Sequence, residues 1–276
     1  MEKPFNDAPL LRSAKLNSNA KWIQNGATIV GGNRQGNAIN HLYGPNGLYV
    51  DDDQTIYIVD FVDHRIVEYK CGATTGRVVI GEYGSENRSN QLNTPTDMII
   101  DKEKDSLIIC NYNNKRVVRW SRQNGTNGKI IISNVGYHGL TMDDDGFFYV
   151  ADCDKHEVIQ YRMGQRQEIV VAGGNGEENR LDQLHAPRYI FVDRDHSIYV
   201  SDGYNHRVMI QLSNPYGIVI DQSGTVYVAD NGNYRIMHWS QGATQGSIIV
   251  GGNGQENQSN QLNSSIVDDL LKLTLL

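Results

Sequence analysis

The sequence predicts an all-β fold assembled from repeated small sheets. Three observations lead there: a proline-to-aspartate interval that recurs along the chain, short β-branched and aromatic runs on both sides of each aspartate, and the absence of any long stretch with helical periodicity. Composition agrees. The 276 residues are 39% apolar and 8% aromatic, with 28 Gly and 6 Pro, which gives enough apolar surface for a packed core and too little bias for a collagen-like or disordered chain. An all-β chain of this length is expected to fold as one domain.

Pro45, Pro95, Pro187 and Pro215 each stand six residues before an aspartate: Asp51, Asp101, Asp193 and Asp221. Tyr137 takes the place of the proline before Asp143. Between each pair lies an apolar run, such as Gly47-Leu48-Tyr49-Val50 or Gly217-Ile218-Val219-Ile220, and after each aspartate a turn leads to a second run, such as Ile56-Tyr57-Ile58-Val59 or Val226-Tyr227-Val228-Ala229. Runs this short, bounded by Gly, Asp and Ser, read as strands, so each unit opens with a β-hairpin. The second strand ends in a polar turn that begins at Asp60, Asn111, Asp152, Asp202 or Asp230 and closes five residues later at Arg65, Arg116, Glu157, Arg207 or Arg235. A third strand follows, for example Ile66-Val67-Glu68-Tyr69, and then a fourth, such as Arg77-Val78-Val79-Ile80 or Ser247-Ile248-Ile249-Val250. Four antiparallel strands in a unit of roughly 40 to 50 residues is the sequence signature of a propeller blade.

The reference aspartates are separated by 50, 42, 50 and 28 residues. The last interval marks a shortened unit. Arg65 to Pro95 and Glu157 to Pro187 both span 30 residues, whereas Arg207 to Pro215 spans 8, so 22 residues are missing, comprising most of the third strand and all of the fourth. Trp22 to Gly32 resembles the end of a blade, and residues from Ser265 onward supply only a first strand and a degenerate second. Five internal units and one composite blade from both termini predict six blades, with residues 1–20 as a poorly ordered tail too short and polar for a further domain and residues 21–276 as the propeller.

Tyr227-Val228-Ala229-Asp230, Tyr199-Val200-Ser201-Asp202 and the following Asn205-His206-Arg207-Val208 resemble the NHL-repeat β-propellers, and the linkers Asn175-Gly176 to Asp182-Gln183-Leu184 and Asn253-Gly254 to Asn260-Gln261-Leu262-Asn263 extend the match. The resemblance covers about residues 21–265. It implies a six-bladed propeller, mostly a platform for proteins and in some cases RNA. One relative in the wider group, the peptide-amidating lyase, is a zinc enzyme. The pattern breaks at Glu157 for Arg, at Lys115 and Tyr234 for His, and at Ser265 for Pro.

A residue that recurs in every unit serves the unit. Asp60, Asp152, Asp202 and Asp230 with Arg65, Arg207 and Arg235 are therefore expected to form charge-assisted hydrogen bonds across a tight turn, with Asn111, Arg116 and the recurring His64, His156 and His206 as scaffold in the same turn. No His-Glu-x-x-His spacing links the eight histidines, and no metal ligand set or cofactor is predicted. Asp51-Asp52-Asp53 and Asp143-Asp144-Asp145 lack the glycine and glutamate of a calcium loop. No Gly-x-Ser-x-Gly elbow is present, and Cys71, Cys110 and Cys153 have no evident activating partner, so no catalytic residue is predicted. Five residues before each reference aspartate stand Asn46, Thr96, His138, Arg188 and Tyr216, which vary while the surrounding frame holds. Uneven side chains on a rigid frame at the mouth of a central channel are the candidate binding residues.

The formal net charge of −7 disfavours a phosphate backbone as partner. No apolar run approaches the ~18 residues of a membrane helix, and Met1 to Lys21 lacks the apolar core of a secretory signal. Three unpaired cysteines favour a reducing compartment, with a cytoplasmic location as the default, while sequons at Asn87, Asn124, Asn257 and Asn263 keep an extracellular one open. The sequence reading is a monomeric, non-catalytic scaffold for a protein or peptide, ahead of a metal-dependent lyase or lactonase with its site in the channel, and ahead of an RNA-binding propeller.

Overall fold

The computed structural model describes residues 41–251, apart from 74, 82–86, 124, 135, 163–167, 181, 193–195, 197, 209–214, 222, 231–232, 241–242 and 244–245. The composite blade and the N-terminal tail expected from the sequence lie outside the described residues.

Strands dominate. β1 (Pro45–Val50), β2 (Ile56–Asp60), β3 (Arg65–Tyr69) and β4 (Arg77–Ile80) form the first sheet, and β5 (Pro95–Asp101), β6 (Ser106–Asn111), β7 (Arg116–Ser121) and β8 (Lys129–Ser133) the second. β9 (Tyr137–Met142), β10 (Phe147–Asp152), β11 (Glu157–Arg162) and β12 (Glu168–Gly173) form the third. The fourth contains β13 (Pro187–Val192) and β14 (Ile198–Asp202), and the fifth β15 (Pro215–Ile220), β16 (Val226–Asp230), β17 (Arg235–Trp239) and β18 (Ser247–Gly251). Each sheet is an antiparallel meander in chain order, as tight two-sided hairpins require. The first strands touch one another in the order β1, β5, β9, β13, β15, which is the propeller arrangement of an all-β chain.

Successive sheets pack face to face through shared apolar clusters. Tyr57, Val59 and Ile66 of the first sheet meet Met98, Ile100, Leu107 and Trp120 of the second, and Ile108, Cys110 and Val117 of the second meet Leu140, Phe148 and Val150 of the third. Strands buried on both faces explain why the runs read as continuous β-branched stretches instead of alternating ones. Around the axis the first strands approach so closely that a Cβ on Gly139 would overlap the Arg188 carbonyl, so only glycine fits there.

The pairing of first and second strands slips by a residue at the same place in every sheet. Register shifts fall between Pro45 and Gly47, Pro95 and Met98, Tyr137 and Leu140, Pro187 and Ile190, and Pro215 and Ile218. A β-bulge re-aims the side chain it contains. The residues inside these five irregularities include Asn46, Thr96, His138, Arg188 and Tyr216.

The polar turns hold the linkers that enter each sheet. Arg65 Nε donates to Asp60 Oδ2 at 2.9 Å, and the equivalent pairs Arg207 with Asp202 and Arg235 with Asp230 close at 2.7 and 2.6 Å. The second oxygen of the turn aspartate accepts a linker amide: Tyr43 N on Asp60 at 2.8 Å and His185 N on Asp202 at 2.6 Å, with Asn111 Oδ1 accepting Asn93 N at 2.7 Å. The next amide along goes to the preceding sheet. Thr94 N donates to His64 Nδ1 at 2.9 Å, and Ala186 N to His156 Nδ1 at 3.0 Å. The turn histidines sit at φ 56, 58 and 51 (His64, His156, His206), with Lys115 and Tyr234 at 48 and 51 in the same position. A left-handed residue at this corner costs about 1 kcal/mol outside glycine, which at His64 and His156 the hydrogen bonds to the linker offset. Burial pushes Asp60 up to about 6, opposed by the Tyr43 amide and Arg65, so the carboxylate is ionised at neutral pH. Where Glu157 replaces the arginine, Asp152 Oδ1 accepts the amides of Asp154 and Lys155, each at 3.1 Å, while its buried Oδ2 has no hydrogen-bond partner among the described residues and only Lys155 Nζ nearby, at 3.9 Å. Arg116 faces Asn111 in place of an aspartate and turns its guanidinium to the carbonyls of Arg88 and Gln91, at 2.7 and 3.0 Å.

The fourth sheet shows the consequence of the short interval. Tyr199 and Val200 are half-buried, whereas Tyr57 and Ile58 at the equivalent places are buried. Beyond Asp202 the third strand is begun by a single bridge to Arg207. Inserting the missing 22 residues between Arg207 and Pro215 should complete burial of these two side chains, a gain of ~2–3 kcal/mol, and raise the thermal midpoint by about 5–10 °C. A melt that shows no rise would contradict that reading.

Candidate functional site

The bulges and the second-to-third-strand turns open on one end of the inner strands, around a solvent-open cavity of about 670 Å3. Four of the five uneven positions line it: Asn46, Thr96, His138 and Arg188. The fifth, Tyr216, lies on the backbone of β15, and its side chain is outside the described residues. The turn residues Asp60, Arg65, Asn111, Arg116, Asp152, Asp202, His206, Arg207, Asp230 and Arg235 do not line it.

Residues that the sequence reading passed over complete the wall. Tyr112, Cys153, Asp154 and Tyr204 come from the polar turns, and Glu177 and His185 from the linker between the third and fourth sheets. A signal was present, because Phe61, Tyr112, Cys153 and Gly203 occupy one repeat position and differ in chemistry as much as the bulge residues do.

Arg188 organises the floor. Its guanidinium stands 5.8 Å over the Tyr204 ring, and Nη1 lies 3.3 Å from His138 Nε2. Burial, reinforced by the Arg188 charge, pushes His138 down to about 3, so the imidazole is neutral at physiological pH. Because a guanidinium only donates, Nε2 of His138 accepts and Nδ1 carries the proton. Tyr189 packs edge-on against His138 at 5.7 Å and its hydroxyl donates to the Asn46 carbonyl at 3.0 Å, tying the fourth sheet to the first across the cavity. Tyr204, 55% exposed, supplies an aromatic face at the rim.

The remaining groups offer little reactivity. Burial, with Asp154 and Asp152 adding to it, pushes the Cys153 thiol up to about 11, and the thiol donates to the Gly136 carbonyl at 3.0 Å, so the thiolate nucleophile is suppressed. Asp154 lies 3.3 Å from Lys115. His156, Glu177 and His185 bring potential ligand atoms within 4.8 Å of one another, a grouping the sequence spacing did not reveal. Its tautomer opposes metal capture. His156 Nδ1 accepts the Ala186 amide, so the proton of the neutral ring sits on Nε2, which donates to Glu177 Oε2 at 3.1 Å. A metal ligand must present a lone pair there instead.

Comparison with known proteins adds the following. The NHL repeat family model matches residues 42–69 and 212–239. A virginiamycin B lyase from Staphylococcus aureus is similar in structure, with a TM-score of 0.52 at 10% identity over 74% of this chain and 69% of that one. A chain from a nidogen/laminin complex aligns with a TM-score of 0.59 at 13% identity, over 79% and 82%. A protein of unknown function from Bacteroides thetaiotaomicron gives 0.61 at 13%, over 85% and 66%. At these identities the likeness is one of fold.

His138 makes a testable contribution to acid sensitivity. Its proton is bound by the unfolded chain below about 6.5 and by the folded chain only below about 3, so stability falls as pH drops through that window. In His138→Gln, which keeps an acceptor for Arg188, urea midpoints between pH 6.5 and 4 should lose at most about 1.4 kcal/mol per pH unit of slope relative to wild type. Identical slopes in the two proteins would show that His138 is not held neutral.

Proposed function

The chain is an NHL-repeat β-propeller, and we propose that it works as a non-catalytic recognition module, binding a protein or peptide segment in the cavity floored by Arg188 and His138. Six blades, the last closed by strands from both termini, would complete the rigid ring that carries this face. The observation that carries the reading is a bulge repeated in every sheet, which presents chemically different side chains from one frame. The cavity combines a guanidinium, aromatic faces at Tyr112 and Tyr204 and a neutral imidazole, the mixture that anchors a polypeptide. A similar chain occurs in a nidogen/laminin complex, which favours protein recognition.

The lyase reading draws on the likeness to a virginiamycin B lyase. It is opposed by the site's own chemistry: a neutral His138, a protonated Cys153 and a His156 whose outward nitrogen is already a donor. The RNA reading is opposed by the net charge of −7.

The test is quantitative capture of partners by wild type, Arg188→Ala and Tyr204→Ala, each checked for an unchanged melting curve. Removing a cationic or aromatic anchor should weaken the captured partner by about tenfold or more. Equal capture by all three proteins would place recognition elsewhere.

A further inference from the structure

Among the described residues that line the cavity, Arg188 is the only Lys or Arg, and we infer that its guanidinium anchors a carboxylate of the bound peptide, supplied by an Asp or Glu side chain or by a free C-terminus. The inference rests on the recognition reading above and names the chemistry of its anchor.

Neutral groups set the orientation of Arg188. Its Nη1 donates to His138 Nε2 at 3.3 Å, and the guanidinium carbon stands 5.8 Å over the Tyr204 ring. An imidazole held neutral by burial and an aromatic face fix the direction of the guanidinium without cancelling its charge. A guanidinium carries five N–H donors in a planar fork, which matches the two oxygens of a carboxylate.

The sequence makes room for this side chain. Each bulge residue shares its sheet with the first residue of the polar turn: Asn46 with Phe61, Thr96 with Tyr112, His138 with Cys153, and Arg188 with Gly203. The two short bulge residues go with rings, and the two long ones with a thiol and a hydrogen. Gly203 has no positive φ, so its backbone would accept alanine. Space is what forbids it. A Cβ at Gly203 would lie 2.9 Å from the Ala186 carbonyl oxygen and 3.1 Å from Arg188 Nε, closer than ordinary contact. Arginine at the bulge and glycine in the turn therefore act as one unit that places a cation in the cavity floor.

The rest of the wall selects a single carboxylate over a more highly charged anion. Asp154 and Glu177 are exposed carboxylates on the same wall, set 3.3 Å from Lys115 and 3.1 Å from His156. Together with the net charge of −7 they oppose the entry of a phosphate chain or a phosphoryl group. One carboxylate that reaches the half-buried guanidinium gains a charge-assisted pair at reduced dielectric. An ammonium group there would meet the Arg188 charge instead.

The probe is an immobilised array of random decapeptides in matched sets: one internal Glu with an amidated C-terminus, Gln in its place, phosphoserine in its place, and the Gln peptide with a free C-terminus. The full chain is titrated over the array as wild type, Arg188→Gln, Gly203→Ala and Tyr204→Ala, each checked for an unchanged melting curve. Wild type should prefer either the Glu peptides or the free C-termini over the amidated Gln peptides by about tenfold or more, and the preferred set identifies the source of the carboxylate. Phosphoserine should bind no tighter than Glu. Arg188→Gln should bring that preference to about twofold or less, and Gly203→Ala, which keeps the charge but displaces it, should cut it by about threefold or more. Tyr204→Ala should weaken acidic and amide peptides alike. Equal binding of all four sets, tighter binding of phosphoserine, or a preference that survives both Arg188→Gln and Gly203→Ala would overturn the carboxylate anchor. Peptide binding that still depends on Tyr204 would then leave the recognition reading standing, whereas no binding in any set would overturn both.

Discussion

Two consecutive backbone amides in a linker, given up to side chains on two different sheets, are the constraint on which this structure depends. Asn93 and Thr94 donate to Asn111 and His64, and His185 and Ala186 donate to Asp202 and His156. Loop amides this close to a packed interior need partners, since an unsatisfied one costs about 1–3 kcal/mol. Providing both partners from polar turns fixes the second sheet against the first and the fourth against the third. The turn arginines add a third grip, as when Arg207 reaches the carbonyls of Asn179 and Arg180, each at 2.8 Å. Sheet-to-sheet packing is nondirectional by itself; these bonds set the angle and depth at which the apolar faces meet.

That constraint also makes the proposed binding face possible. Where the linker is held at both amides just before the proline, as before Pro95 and Pro187, the strand that follows starts from a fixed point, and the bulge after it turns Thr96 and Arg188 toward the cavity. Side chains there are free to differ, as Thr96 and Arg188 do, without disturbing the frame. The protonation states follow from the same rigidity. His138 is neutral because it is enclosed beside a guanidinium, and Cys153 keeps its proton because it is enclosed among carboxylates. These protonation states suit the proposed recognition of shape and charge better than proton transfer.

Much of this was legible in the sequence, for physical reasons. Strands buried on both faces leave uninterrupted apolar runs, and a turn that must begin with a carboxylate and close with a guanidinium leaves Asp and Arg at constant spacing, as in Asp60 with Arg65 and Asp230 with Arg235. The bulge positions were visible as variation within a constant frame. What the sequence concealed was convergence. Glu177 and His156 are 21 residues apart and belong to a linker and a turn, yet they meet at 3.1 Å. The role of the turn histidine as an acceptor for the next linker was also hidden, since a periodic spacing does not reveal which ring nitrogen is used. Residues such as Tyr112 and Tyr204 escaped because unevenness was sought before the first strand and not in the turn that faces it.

The most direct measurement is amide hydrogen exchange at Asn93 and Thr94 in wild type and in His64→Ala. If the linker is held from both sides, both amides exchange slowly in the wild type, and the substitution accelerates Thr94 by about tenfold or more while Asn93, still bonded to Asn111, stays protected. Fast exchange of Thr94 in the wild type, or no change on removing the imidazole, would show that the sheets are held together without this clamp.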